Sequence, residues 1–504
     1  MTMRLALLAL AACAPVGSYG APTPAWVADT STTFAPGARS GVALPSLSEQ
    51  YKDVAAKIIA AARADRGAYD KLSHLTDKIG HRLAGSQALD KAIAWAAQAM
   101  TDDGLTVRTE PVMVPHWQRG REDAHIIAPI SRPLRVLALG GSVSTPEGGI
   151  AAPVVVVHDW KELEARKRDV VGRIVVFNVA MPAWSEEHGS GYGETVEYRS
   201  RAASRAGRLG AAAVLVRSVT AHSLDTPHTG AMGYDNDAPK IPAASITVED
   251  AGLLDRLASK GAVQLRLRIE SEMKPDAPSA NVIGELRGHE KPDEIVLIGA
   301  HIDSWDVGQG AHDDGAGVVT MMQALATLKR LNLTPRRTIR VVLFTNEENG
   351  LRGAKEYAKA HASELPNHVA ALEADSGGFA PTGFGVGHQD PEAAKRARDR
   401  LADLASLLAD LRATRVDLGG GGADISPMKS AGVPQLSLDV DNRTYFDYHH
   451  TAADTLDKVK AEDLADMAAA VAVFAYVVAD MPDRLDAAPI VTRSLEPAAA
   501  EPTK

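Results

Sequence analysis

A histidine and an aspartate stand where an apolar run of the sequence ends. His301 and Asp303 follow residues 295–300, whose length and branched side chains are typical of a buried strand. Ligands of open α/β sheets bind at the carboxyl ends of the strands, and zinc accepts imidazole nitrogen and carboxylate oxygen. The pair therefore indicates a metal site, against the commoner alternative of a hydrogen-bonded structural pair.

Two further acidic pairs follow the same pattern. Asp313 and Asp314 end a glycine-rich loop and precede a helical pattern, and Glu347 and Glu348 follow the next apolar run. Of two adjacent carboxylates, one can bind a metal while the other faces a substrate, which is the division that a hydrolase needs. The alternative for an isolated pair is a solvated turn at a helix N-terminus, where negative charge is favoured.

Two more strand ends carry potential ligands. Asp375 follows a third apolar run, and the neighbouring histidines His449 and His450 follow a fourth. Independent surface charges would not be expected to fall repeatedly where apolar runs end. Histidine, aspartate and glutamate from four strand ends form a ligand set that suits two zinc ions sharing a bridging carboxylate.

The elements that would position these residues alternate between strand and helix patterns. From about Ala280 onward, apolar runs alternate with helical spacing, including a helix from about Gly315 to Leu331. The alternation predicts an α/β sandwich with a mixed, centrally parallel sheet between helices. Two helices are predicted earlier, within residues 47–65 and 86–104, and a strand follows the second.

Residues 117–274 have a different texture, with short Val/Ile runs separated by Gly and Pro and a single clear helix. The order of these segments resembles a protease-associated domain, and an unrelated small β-sandwich is the open alternative. We expect this inserted β-rich domain to flank the metal site and to limit the length of the substrate without supplying a ligand.

Charge and hydropathy exclude two classes of partner. The chain of 504 residues has a net charge of −10 and no Lys/Arg run, so we expect it to bind neither nucleic acid nor an anionic membrane. The apolar segment 467–479 is too short for a transmembrane span and predicts a buried helix.

The N-terminus is typical of an export signal. Residues 1–20 combine an apolar core with small residues, which predicts a periplasmic or extracellular protein. Lipid attachment at Cys13 is the alternative to cleavage near Gly20. Because Cys13 is the only cysteine, no disulfide or thiolate ligand is expected after processing. Residues 21–46 predict a linker, and residues 484–504 predict a disordered tail.

Five motifs in order resemble the dizinc aminopeptidase family: His-x-Asp, Asp-Asp-Gly, Glu-Glu, Asp-x-Gly-Gly and His-Thr-x-x-Asp-Thr. The similarity extends over residues 51–483. It implies a zinc-exopeptidase sandwich built from a discontinuous peptidase domain, residues 47–116 and 275–483, around the inserted domain.

The resemblance implies a ligand set for two zinc ions per chain. His301 and Asp375 match the ligands of one zinc. Glu348 and His450 match the ligands of the other, and Asp313 matches the bridge between them. A cis peptide bond after Asp313 is also implied.

The resemblance implies roles for neighbouring acids as well. Glu347 matches the general base, and Asp303 matches an acid that orients the imidazole of His301. Asp454 resembles the acid that does the same beyond His450.

Four other residues near the motifs have alternative interpretations. Asp424 and Tyr445 resemble positions that line the substrate cleft, although a turn acid and a packed aromatic residue are equally good interpretations. His449 is the other possible ligand, but the motif spacing favours its neighbour. Asp314 is expected to cap the following helix.

The activity implied by the resemblance is hydrolysis of a dipeptide or short peptide with a free amino terminus. The alternatives are an aminopeptidase on longer peptides, a single-zinc glutaminyl cyclase and a metal-free binding protein. A homodimer is suggested by the resemblance alone. The sequence lacks the His-Glu-x-x-His and Gly-x-Ser-x-Gly motifs of other hydrolases.

Overall fold

The structure is a computed structural model that describes residues 46–222 and 224–488. The predicted signal, Cys13, the predicted linker up to residue 45 and the chain beyond residue 488 lie outside the described residues. Within that part, no helix is both long enough and apolar enough to cross a membrane.

Helices occur throughout the described residues. The α-helices are α1 (Leu47–Arg63), α2 (Gly67–His74), α3 (Gln87–Asp102), α4 (Trp160–Ala165), α5 (Lys167–Val170), α6 (Tyr192–Arg208), α7 (Val248–Ala258), α8 (Ala316–Arg330), α9 (Arg352–Ala360), α10 (Pro391–Ala405), α11 (Tyr445–Tyr448) and α12 (Ala461–Asp480). Shorter 3-10 or π-helical turns lie at Leu75–Ile79, Ala311–Gly315, Leu365–Asn367, Ser406–Leu411, Ser426–Ala431 and Leu456–Lys458.

The strands join into one extended sheet. They are β1 (Thr106–Ala128), β2 (Arg132–Leu134), β3 (Val136–Ala138), β4 (Ile150–Val157), β5 (Ile174–Phe177), β6 (Ala213–Arg217), β7 (Ala243–Ile246), β8 (Gln264–Leu286), β9 (Lys291–His301), β10 (Arg337–Phe344), β11 (His368–Glu373), β12 (Pro381–Gly387), β13 (Arg415–Leu418) and β14 (Gln435–Val440).

The half of the sheet that carries the predicted ligands has the order β13-β12-β14-β11-β9-β10-β8. The four central strands β14, β11, β9 and β10 are parallel to one another. Strand β8 runs antiparallel to β10, and β12 runs antiparallel to β14. The predicted mixed sheet with a parallel centre is confirmed.

The central strands are apolar because both of their faces are covered. Val296 and Ile298 of β9 pack in the core that includes helices α1, α3, α8 and α12. Ile295 and Leu297, which alternate with them, pack in a second core with Tyr357 of α9. This period of two across a doubly covered sheet explains the continuous apolar run that precedes His301. Helix α12 is buried, as predicted for the apolar C-terminal segment.

A long antiparallel pair of strands leads away from this sheet. Strands β1 and β8 pair from Thr106↔Glu285 to Ala128↔Gln264. We call residues 129–263, which lie between them, the insertion. The expected limits at residues 117 and 274 fall within the paired strands, so no change of backbone structure marks them.

The insertion is an α/β unit. Strands β4, β5, β6 and β7 are parallel, and helices α4 to α7 connect or follow them. The expectation of a single clear helix is wrong, because α7 is a second long one. Its N-cap Thr247 accepts a hydrogen bond from the backbone N–H of Asp250, which stabilises the first helical turn.

The start of the predicted disordered tail is also wrong. Leu485 is fully buried in the core that includes α12. Arg400 donates a hydrogen bond to the Leu485 carbonyl, and Arg396 donates one to the carbonyl of Asp486. These long-range contacts hold a Pro- and Ala-rich segment whose sequence carries no helix or strand pattern.

Candidate metal centre

The predicted ligands meet because their parallel strands end at one edge of the sheet. Strand β9 ends on His301 itself, and β11 ends on Glu373, two positions before Asp375. Strand β10 ends at Phe344, so Glu347 and Glu348 lie in the turn that follows it. The two glutamates thus follow the strand, as expected, and both line one cavity.

One group of potential ligands contains His301, Asp313 and Asp375. The Nε2 atom of His301 lies 3.2 Å from Oδ1 of Asp313 and 3.6 Å from Oδ1 of Asp375. His301 is 1% exposed, so its imidazole is almost completely withdrawn from solvent.

A second group lies on the other side of Asp313. The Nε2 atom of His450 is 3.1 Å from Oδ2 of Asp313 and 3.1 Å from Oε2 of Glu348. The two oxygens of Asp313 therefore face two different histidines. This is the arrangement that a carboxylate bridging two metal ions requires.

Three atoms of these groups are buried without a hydrogen-bond partner among the described residues: Nε2 of His301, Oδ2 of Asp313 and Oδ1 of Asp375. Their distances are short enough for ion pairs, but their geometry is not that of hydrogen bonds. Buried polar atoms without partners destabilise a fold by about 1–3 kcal/mol each. Metal ions would satisfy these atoms, and nitrogen with carboxylate oxygen is a donor set that fits zinc.

The loop that carries Asp313 is fixed by two other aspartates. Oδ2 of Asp314 accepts a hydrogen bond from the His301 N–H, and its Oδ1 accepts one from the Gly317 N–H. The predicted cap on the following helix is thus present. The predicted cis peptide bond after Asp313 is confirmed.

Asp454 holds the same loop, and its predicted contact with His450 is wrong. Its carboxylate accepts hydrogen bonds from the backbone N–H groups of His312 and Asp313 at 2.7 and 3.2 Å. The Nδ1 atom of His450 instead lies 3.2 Å from the carbonyl oxygen of Thr229, in the insertion. Asp454 therefore positions the shared carboxylate, and the insertion orients the histidine.

Asp303 connects two strand ends. The Nδ1 atom of His301 is 3.1 Å from the Asp303 carbonyl oxygen and 3.8 Å from its carboxylate. The carboxylate accepts hydrogen bonds from the N–H groups of Glu347 and Glu348 at 3.0 and 3.3 Å. The main chain of Asp303 thus does most of the predicted orienting, while its side chain fixes the turn with the two glutamates.

Burial and crowding of like charges shift the pKa values of the acids. Burial raises the pKa of Glu347 well above its usual value, and the charges of Asp375 and Glu348 raise it further. Burial raises the pKa of Glu348 to about 7. The site therefore favours additional positive charge, which metal cations supply.

One buried cation lies beneath these acids. Arg82 is fully buried and donates hydrogen bonds to the carbonyl oxygens of Ile302, Gln309 and Gly310. Burial lowers its pKa to about 10, while the surrounding aspartates oppose the shift. Arg82 thus fixes both ends of the loop between β9 and Asp313, and no motif in the sequence indicated it.

The two groups open into a cavity of about 340 Å³. Its lining residues are Tyr192, Arg199, Asp313, Glu347, Glu348, Asp375, Tyr445, Phe446, His449 and His450. A larger cavity of about 610 Å³ lies between Trp184 and Tyr448 but contains neither ligand group. The smaller cavity is therefore the candidate site.

Of the two residues that resemble positions of the substrate cleft, only one lines the cavity. Tyr445 lines it, as expected. Asp424 is fully buried outside the lining, where burial and then the charge of Glu373 raise its pKa well above its usual value. For Asp424 the structure favours the alternative interpretation of a turn acid, because its loop folds against the end of β11, where the N–H of Ile425 donates a hydrogen bond to Glu373.

His449 is closer to the centre than its motif position suggested. Its Nε2 atom lies 3.8 Å from Oδ2 of Asp313, and its ring stacks on His450 with centroids 3.5 Å apart. His450 lies nearer to Asp313 and also contacts Glu348, so it remains the better ligand.

The insertion contributes Tyr192 and Arg199 of α6 to the cavity lining, so it flanks the site as expected. Neither ligand group in the described residues includes a residue of the insertion. No sequence signal distinguishes Arg199, because α6 contains three other arginines and none of the four stands in a motif.

Comparisons with known proteins agree with this geometry. The sequence profile of peptidase family M28 matches residues 281–475. Carboxypeptidase Q from Mus musculus is 41% identical over 440 residues, which cover 86% of this chain and 91% of that protein. The crystal structure of a peptidase M28 precursor from Shewanella amazonensis SB2B has a TM-score of 0.81 at 37% identity and covers 86% of this chain and 98% of that chain. BSAP, a zinc aminopeptidase from Bacillus subtilis, shares the fold, with a TM-score of 0.59 at 22% identity over 82% of this chain and 95% of that chain.

Proposed function

The chain belongs to peptidase family M28 and is a zinc peptidase, and from this premise we propose that it hydrolyses dipeptides and short peptides that have a free amino terminus. The observation that carries the proposal is Asp313, whose two oxygens face His301 and His450 at 3.2 and 3.1 Å. This arrangement suits two metal ions and distinguishes a dizinc peptidase from a single-zinc cyclase.

We assign the ligands from the two groups. His301 and Asp375 would hold one zinc ion, and Glu348 and His450 would hold the other. Asp313 would bridge them. When bound, the zinc ions lower the pKa of water and polarise the carbonyl of the scissile bond.

Glu347 is the proposed general base. It lines the cavity beside the ligand groups, and Glu348 is the member of the pair that contacts His450. The Glu347 carboxylate takes a proton from the attacking water and passes it to the nitrogen of the leaving amine. Asp303 holds the turn through both backbone N–H groups, so the base and the ligand keep fixed positions.

The size of the cavity supports a small substrate. About 340 Å³ lies at the lower end of the range for small-ligand pockets, about 300–1,000 Å³. Tyr192 and Arg199 of the insertion form one wall. A dipeptide is therefore the preferred substrate class, and an aminopeptidase on longer peptides is the second candidate.

A metal count combined with a substrate panel tests this function. The zinc-loaded protein is expected to contain two zinc ions per chain and to cleave a free dipeptide faster than its N-acetylated form or a hexapeptide. Preferential cleavage of the hexapeptide would favour the aminopeptidase. One zinc with conversion of N-terminal glutamine to pyroglutamate would favour the cyclase, and neither metal nor turnover would favour a binding protein.

We also propose that the protein is exported, on the basis of residues 1–20. Fractionation of the producing cells should place the enzyme outside the cytoplasm. If Cys13 is the lipid attachment site, radiolabelled palmitate should label the wild-type protein and not a Cys13→Ala variant. If the signal is cleaved without lipid attachment, neither protein should carry the label.

A further inference from the structure

A cation from the insertion faces the metal centre. Arg199 is the only arginine or lysine on the lining of the candidate cavity within the described residues. It is 8% exposed, and its Nη1 atom lies 3.4 Å from Nδ1 of His450. A buried guanidinium is costly unless hydrogen bonds and an anion satisfy it.

The partners of Arg199 leave part of the guanidinium unsatisfied. Its Nη2 donates to the hydroxyl of Tyr192 at 2.7 Å, and its Nε has no hydrogen-bond partner. No carboxylate of the described residues forms an ion pair with it. Arg199 is thus a buried cation without an anion in the part of the chain that the structure describes.

The contact with His450 does not satisfy Nη1 when that histidine binds a metal. A neutral imidazole that ligates through Nε2 carries its proton on Nδ1. That N–H is directed to the carbonyl oxygen of Thr229, 3.2 Å away. Nδ1 then has no lone pair for Arg199, so both Nε and Nη1 of the guanidinium remain available to a ligand.

The guanidinium is held in place by close packing. A Cβ atom on Gly230 would lie 2.4 Å from Cζ of Arg199, so the glycine backbone lies directly against the planar group. Gly230 also has a φ of +140°, which other residues rarely adopt. The structure therefore presents a fixed, planar group of N–H donors with charge to match a carboxylate.

Arg199 also lies next to one of the metal ligands. Arg199 lies beside the ring of His450, whose other nitrogen belongs to the ligand group. One residue of an extended chain spans about 3.3–3.6 Å. If the scissile carbonyl lies at the metal centre, the C-terminal carboxylate of a dipeptide is only one residue away, which makes it the substrate anion best placed to pair with the guanidinium.

We propose that Arg199 binds the C-terminal carboxylate of the substrate, so that the insertion restricts the enzyme to peptides with one residue after the scissile bond. This inference rests on the proposed function and specifies its substrate class. Such an enzyme requires a free carboxylate directly after the scissile residue, and it disfavours peptides in which an amide or a further residue takes that place.

The test compares a dipeptide with its C-terminal amide, on the zinc-loaded wild-type protein and on Arg199→Gln, Arg199→Lys and Arg201→Gln. Arg201 is exposed on the same helix and provides the matched control. The wild type and the control should prefer the free acid in kcat/KM by a factor on the order of 10 to 100, the usual worth of hydrogen bonds to a charged group. Arg199→Gln should lower kcat/KM for the acid to the level of the amide and leave the amide and the zinc content unchanged, and Arg199→Lys should restore part of the preference.

A binding measurement separates recognition from catalysis. Calorimetry with Glu347→Gln should show tighter binding of the dipeptide than of the amide, and the double variant Glu347→Gln with Arg199→Gln should lose that difference. Equal losses on both substrates, or loss of zinc from Arg199→Gln, would overturn the inference and give Arg199 a positioning role. A wild type that cleaves acid and amide equally would also overturn it, whereas a wild type that cleaves neither would contradict the proposed function itself.

Discussion

The two histidines of the metal centre are held in different ways. His301 ends the regular strand β9, and its Nδ1 contacts the carbonyl oxygen of Asp303 in the loop that follows. His450 lies in a loop after α11 with a φ of +60°, a conformation that is uncommon outside glycine. Its main-chain carbonyl accepts a hydrogen bond from Thr229, and its Nδ1 faces the Thr229 carbonyl.

The difference shows that the insertion is part of one half of the centre. The His301 half is organised by the sheet and by the loop that follows β9, and its ligand group contains no residue of the insertion. The His450 half depends on a segment 221 positions away in the sequence. Perturbing the insertion should therefore affect one metal more than the other, while perturbing Asp313 should affect both.

The largest effects are expected for the adjacent glutamates, because each belongs to a different part of the reaction. Glu347→Gln should keep both zinc ions and normal substrate affinity, while turnover falls by a factor on the order of 10² to 10⁴, the usual worth of positioned acid–base catalysis. Glu348→Gln should lose or weaken the metal on the His450 side, since a neutral amide is a poor substitute for a carboxylate ligand. Zinc analysis and steady-state kinetics on both variants check this, and exchanged phenotypes would mean that the two roles are reversed.

A smaller effect, shared by both halves, is expected at Asp454. Its carboxylate accepts hydrogen bonds from the backbone N–H groups of His312 and Asp313, one on each oxygen. An asparagine side chain would retain only one acceptor oxygen. Asp454→Asn should lower the affinity for both zinc ions by about 10- to 100-fold, the usual effect of removing a partner that orients a ligand. Competition with a chelator measures both affinities. A loss confined to the His450 side would instead support a direct role beside that histidine.

The smallest effect should be confined to one half and arise in the insertion. Gly230→Ala places a Cβ 2.4 Å from Cζ of Arg199 and must displace the segment next to Thr229. We expect the zinc affinity of the site on the His450 side to fall about tenfold and that of the site on the His301 side to stay unchanged. Gly233→Ala is the matched control, because a Cβ there meets no atom within 4 Å. Equal weakening of both metals by Gly230→Ala would break the distinction between the halves.

The ligand half of the fold was predictable because its signals are local. Apolar runs 295–300 and 341–344 are continuous because both faces of β9 and β10 are buried, and the potential ligands follow where these runs stop. Strand β12 was missed because three glycines interrupt its apolar residues, and β13 was missed because it is only four residues long and half of them are charged. Gly383 of β12 approaches the carbonyl oxygen of Arg415 so closely that a Cβ would lie 1.9 Å from it.

Contacts between residues that are far apart in the sequence were not predictable from the spacing of the motifs. Asp454 resembled an acid beyond His450, but its two oxygens accept hydrogen bonds from the backbone of His312 and Asp313. Thr229 and Arg199 reach the centre only through the packing of the insertion, and neither stands in a motif. A single sequence identifies which residues can bind a metal, whereas the residues that orient them depend on tertiary contacts.

Asp313 is the proposed bridge between two zinc sites whose histidines are held by different parts of the chain. Anomalous diffraction at the zinc edge, from crystals of the zinc-loaded protein, tests this bridge directly. Two anomalous peaks per chain are expected: one about 2.0–2.1 Å from Nε2 of His301 and the other at that distance from Nε2 of His450, each also contacting one oxygen of Asp313. A single peak, or a second peak ligated by His449 in place of His450, would contradict the assignment.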